Sequence, residues 1–74
     1  PETKLGLDVP DDRRFDIKIF NTLGNEVDQI SNNEIFTRGR HIIKWSDDNN
    51  SSGIYILRVS DGINIKYRKV TLIK

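Results

Sequence analysis

Between residues 14 and 21 apolar and polar side chains alternate one for one: Phe15, Ile17 and Ile19 are separated by Asp16 and Lys18. Successive side chains of an extended backbone point to opposite faces, so a period of two predicts a strand with one buried and one solvated face. The rest of the chain carries the same bias. It has eleven isoleucines, four valines and four threonines, against no alanine, no methionine and one glutamine, Gln29. β-Branched residues are stiff at χ1 and fit a pleated surface, whereas the missing types are the favoured helix formers. An all-β domain is expected.

Size and charge narrow the field. The chain has 74 residues, enough for one domain, and no cysteine, so an apolar core must hold it without disulfides. A chain this short buries only about 60% of the surface it exposes when unfolded. No run approaches the roughly 18 apolar residues of a membrane-spanning helix. A net charge of +1 lacks the basic excess of a dedicated nucleic-acid binder, and the absence of thiols removes the common zinc sites. Pro1 to Lys4 is polar with no apolar run behind it, which reads as a cytosolic chain or a fragment of a longer one.

Six strands follow from alternation and turn chemistry. The first is Thr3 to Val9, with Leu5, Leu7 and Val9 on one face, ended by Pro10-Asp11-Asp12. The second is Arg14 to Asn21. Asn21-Thr22-Leu23-Gly24-Asn25 reads as a tight hairpin, because Gly24 can adopt the positive φ that a turn closed by a bulge requires. Glu26 to Ile30 is a short third strand. Ser31 to Thr37 reads as a connection with Ile35 and Phe36 packed beneath it. The fourth strand is Arg40 to Ser46, and Asp47 to Ser52 is a polar loop. Gly53 opens the fifth strand, Ile54 to Ser60, and Asp61-Gly62 predicts a two-residue hairpin into a last strand, Ile63 to Ile73.

The last segment carries a conflict of phase. Ile63, Ile65 and Tyr67 share one face, while Val70 and Leu72 have the opposite parity. A bulge or strand switch near Arg68-Lys69, creating a seventh strand, would bring both sets inward. Six or seven short antiparallel strands predict a small β-sandwich, with an SH3-like or OB-like barrel as the alternative.

Few residues suggest chemistry. His41, the one histidine, shares parity with Ile43 and Trp45 and reads as a packing residue at the core or its rim; no cysteine and no Gly-x-Ser-x-Gly elbow accompanies it. Asp47-Asp48-Asn49-Asn50 offers clustered oxygens but lacks the glycine and distal glutamate of a calcium loop, so a solvated turn is the simpler reading. Asn49 to Ser52 also contains glycosylation-type sequons, which are short and unspecific. Trp45 and Tyr55 are in phase with core positions, and a sandwich this small needs one large side chain at its centre. From Asn64 onward the chain holds Lys66, Arg68, Lys69 and Lys74 and no acid, either a protected edge strand or a weak basic surface. No catalytic, cofactor or metal site emerges, so binding, spacing or addressing remain as functions.

Four segments, in order, resemble the type A C-terminal sorting domain of the type IX secretion system, found on cargo of Bacteroidetes-type bacteria, and the related Ig-like domain of the flagellar hook-capping protein. Phe15 to Val27 is similar to the family's strand, Leu-Gly turn (Leu23, Gly24) and Glu-Val strand. Gly39-Arg40-His41-Ile42-Ile43-Lys44-Trp45 resembles its Gly-x-His-x-x-x-Trp strand, and Ser52-Gly53-Ile54-Tyr55-Ile56-Leu57-Arg58-Val59 its Ser-Gly-x-Tyr strand. Gly62 marks the last turn. Lys69-Val70-Thr71-Leu72-Ile73-Lys74 resembles the short ending at which the family terminates.

The resemblance implies a non-catalytic Ig-like address label, with residues 1–74 a single C-terminal sorting domain that is a fragment of a longer secreted protein. An N-terminally fused cargo would pass through the periplasm, be recognised by the outer-membrane translocon and be cut upstream of the domain by a sortase-like peptidase. It would end at the cell surface or outside the cell. Lys69 to Lys74 would be the recognised segment, read by strand addition at a sheet edge, and edge strands could also pair two copies into a homodimer. No cofactor and no nucleic acid is implied. The competing readings are a spacer or carbohydrate-binding module of an extracellular enzyme, and a structural assembly module.

Overall fold

A computed structural model describes residues 2–46 and 49–73; Pro1, Asp47, Asp48 and Lys74, and with them the aspartates of the polar loop and the last lysine, lie outside the described residues. Six strands are present among the described residues: β1 (Thr3–Val9), β2 (Arg13–Phe20), β3 (Glu26–Phe36), β4 (Gly39–Trp45), β5 (Gly53–Ser60) and β6 (Ile65–Leu72). All pairings are antiparallel. β1 and β4 form a two-stranded sheet, and the other sheet has the order β3-β2-β5-β6. The result is the expected small β-sandwich, with no helix among the described residues.

The alternation in β2 becomes its burial pattern. Ile17 and Ile19 are fully buried, and Leu57 of β5 lies directly opposite Ile19. From β5 and β6 come Tyr55, Val59, Val70 and Leu72; the small sheet supplies Val9, Ile43 and Trp45. Trp45 is 4% exposed, packs edge-on against Tyr55 at 5.1 Å and donates its indole N–H to Asp28 Oδ2 at 2.8 Å. That bond satisfies the one polar atom of an otherwise apolar payload.

Three expectations are corrected. First, Ser31 to Phe36 is strand, not connection. β3 runs past β2 with register shifts, and Asn33 has a φ of 57°. Ser31 turns inward, donates its hydroxyl to the Phe15 carbonyl at 2.8 Å and accepts from the Glu34 N–H at 3.4 Å. Arg14 Nη1 donates to the Asn33 carbonyl at 3.0 Å. Side chains thus carry the pairing across a bulged, polar stretch where alternation fails as a signal. Phe36 does pack on Phe15, edge-on at 5.6 Å, but Ile35 is exposed.

Second, β6 has no bulge and no seventh strand follows from it. Its register with β5 is unbroken from Gly53↔Leu72 to Ser60↔Ile65. Opposed residues of an antiparallel pair share a face. Tyr55, Leu57 and Val59 point inward, so Val70, Arg68 and Lys66 do too, and Ile65 and Tyr67 lie on the outer face.

Third, the turn into β6 is centred one residue later than Asp61-Gly62. The Asp61 N–H donates to the Asn64 carbonyl at 3.2 Å, leaving Gly62 (φ 94°) and Ile63 at the tip. Asp61 Oδ1 accepts from the Ile63 and Asn64 N–H groups at 2.9 and 2.7 Å, so the side chain serves where a carbonyl would.

Candidate recognition surface

β6 is an edge strand. It pairs with β5 on one side, and its other edge faces β1 of the opposite sheet. The two strands meet at one end, where Thr3 Oγ1 donates to the Thr71 carbonyl at 2.7 Å. From there they splay, leaving a cleft of about 550 Å³ between the sheets. Leu5, Leu7, Phe15, Ile43, Leu57 and Val59 supply most of its apolar lining, and Ile65 borders it at the start of β6. Leu5 and Leu7 face inward yet remain only half-buried, since none of the described residues covers this seam.

The mouth of the cleft is polar. Arg13 donates to Asp11 Oδ1 through Nε and to Asp61 Oδ2 through Nη1, both at 2.7 Å. The Asn64 and Ile63 N–H groups, and then Arg13, hold the Asp61 carboxyl well below the usual carboxylate range. Asp11 and Asp61 in turn raise Arg13 further above its already high value. Asp8 is engaged by Arg40 Nη1 at 2.9 Å. Lys66 and Arg68 also line the cleft, and among the described residues neither makes an ion pair.

The outer face of the four-stranded sheet carries Ile54, Ile65 and Tyr67, all about half exposed or more. Beside them the Arg58 guanidinium stacks over Phe20, 5.1 Å from the ring centroid. Its Nε is buried without a hydrogen-bond partner among the described residues, a cost that the stacking partly offsets.

Within the segment expected to be recognised, Val70 and Leu72 are buried, at 4% and 1% exposure, whereas Lys69, Thr71 and Ile73 are exposed. The motif residues lie elsewhere. Leu23 sits exposed at the tip of the β2–β3 hairpin, where Asn21 Oδ1 accepts from the Leu23 and Asn25 N–H groups and Gly24 takes a φ of 89°. Gly39 opens β4 and Gly53 opens β5. His41 lies at the core rim, donating Nε2–H to the Thr37 carbonyl at 2.7 Å and packing edge-on against Phe36 at 5.2 Å. Tyr55 is buried and donates its hydroxyl to the Ser51 carbonyl at 2.6 Å.

No group of three or more His, Cys, Asp or Glu side chains able to hold a metal ion occurs among the described residues. Sequence reading missed the inward-facing Lys66 and Arg68. The pairing of β6 with the clear alternation of β5 is the signal that finds them.

A comparison with known families matches residues 2–74 to the family described as the secretion system C-terminal sorting domain. Comparisons with curated proteins and with solved structures gave no match. The family match covers the four resembling segments and both sheets of the sandwich. The chain therefore belongs to the C-terminal sorting domains, the signals that direct cargo through type IX secretion.

Proposed function

We propose that the secretion machinery reads this domain by adding an extended strand to the free edge of β6. The observation that carries the reading is the place of β6 at the rim of the four-stranded sheet. An edge strand offers unpaired backbone groups at a fixed spacing; pairing supplies affinity, and alternate side chains supply specificity. Val70 and Leu72 anchor the segment in the core, leaving Lys69 and the Thr71 side chain to be read, the Thr71 carbonyl being already bonded to Thr3 Oγ1. The domain performs no chemistry of its own. Its cargo, fused on the N-terminal side, passes through the periplasm, and a sortase-like peptidase separates the two upstream of β1.

Deleting Lys69 to Lys74 from a full-length cargo is expected to trap it in the periplasm, as measured by fractionation. That deletion also removes two core residues, so a second variant is needed. Lys69→Glu with Thr71→Glu keeps Val70 and Leu72 and should also impair surface delivery. Normal delivery of the truncated cargo would overturn the reading.

A further inference from the structure

The first half of β6 wears its polarity inside out. On a strand packed against a core, the inward set is ordinarily apolar and the outward set polar. Here Lys66 and Arg68 face the interior side of the sheet, and Ile65 and Tyr67 alternate with them on the outer face at 54% and 64% exposure, Ile65 also bordering the cleft where β6 begins. The second half, with Val70 and Leu72 buried, is normal. The inversion begins where the sheets splay, so the inward cations sit above an apolar floor with no second strand beside them.

The charges around this stretch are unevenly satisfied. Asp61, at the mouth of the cleft, is held by Arg13, and Asp8, on the outer face of β1 by alternation with Leu7 and Val9, is held by Arg40, so both nearby carboxylates have cations of their own. Lys66 and Arg68 have no such acid among the described residues, and no acid occurs in the chain after Asp61. A strand laid along β6 would set its inward side chains against Lys66 and Arg68 and its outward side chains against Ile65 and Tyr67.

We infer that the segment added to β6 is an extended peptide with acidic residues at alternate positions facing the cleft and apolar residues between them. This rests on the proposed strand addition and names the chemistry of the added strand. Acidic side chains directly opposite Lys66 and Arg68 form favourable cross-strand pairs, while apolar ones cover Ile65 and Tyr67. The added strand also roofs Leu5 and Leu7, which the domain leaves half-buried. A second copy of β6 fits poorly, because it would bring the same two cations against their equivalents.

Two synthetic octapeptides test this, one alternating Glu and Val and the other alternating Lys and Val. Each is titrated into the isotopically labelled 74-residue chain and followed by amide chemical shifts. The Glu/Val peptide should shift residues 64–71 and 3–8 and bind at least about tenfold more tightly than the Lys/Val peptide, a gap of ~1.4 kcal/mol. Added salt should weaken it, since exposed charges are screened within about 8 Å at physiological ionic strength. In Lys66→Glu with Arg68→Glu the preference should reverse.

Equal binding of the two peptides, or shifts confined to other strands, would overturn the inference. So would concentration-dependent shifts of the same amides without peptide, which would assign the groove to a second copy. In a full-length cargo, the charge-reversed pair should be trapped in the periplasm like the β6 truncation. If the truncation is trapped and the charge-reversed cargo is exported normally, the acidic strand is wrong and edge recognition stands. If both are exported, both fall.

Discussion

Asp61 does at one position what the backbone does elsewhere. Its carboxylate closes the β5–β6 turn by accepting from Ile63 and Asn64, and it reaches across to Arg13 at the start of β2. The folded state favours its ionised form, chiefly through the Asn64 and Ile63 N–H groups and then through Arg13. A carboxyl whose pKa falls on folding stabilises the fold above its unfolded pKa, about 3.9, and that contribution is lost as pH falls toward the lower folded value. Urea denaturation from pH 7 down to pH 2 should therefore show stability declining below about pH 4. Asp61→Asn should be less stable than the parent at pH 7, with the gap narrowing in that acid window. A gap that stays constant with pH would remove Asp61 as the cause. The turn itself was legible in Asp61-Gly62, but the Arg13 partner, 48 residues away, was not.

At the scale of the element, β2 and β5 could be read directly and β3 and β6 could not. β2 and β5 are central strands whose own alternation matches burial. β3 is bulged, and Ser31-Asn32-Asn33-Glu34 carries no alternation to follow. In β6 the isoleucines suggested an inward face that pairing with β5 denies them. The two phases make opposite predictions. With the unbroken register, Leu72→Ala should cost about 2–5 kcal/mol in urea denaturation, as expected for a buried leucine. Tyr67→Ala, on the outer face, should stay within about 0.5 kcal/mol of the parent. A large loss at Tyr67 would restore the bulge.

At the scale of the molecule, the sandwich is closed on one side and open on the other. On the β4 side, Trp45 bonds to Asp28 of β3, and His41 packs on Phe36. On the β1 side, a hydrogen bond from Thr3 to Thr71 joins β1 to β6, and the cleft lies beyond it. Local opening follows the density of buried contacts. In hydrogen exchange, the paired amides of β2 and β5 should be the slowest, and those of β1 should exchange before global unfolding. Equal protection of β1 and β2 would mean that the seam is closed in solution.

The sequence by itself determined the all-β class, most of the strands, the Leu23-Gly24 turn and the family, because these depend on period, local turn geometry and the order of short motifs. Only the tertiary structure decided which face of β6 turns inward and that the seam beside it stays open. Alternation defines two faces of a strand but does not say which one meets the core; that choice belongs to the neighbour it pairs with.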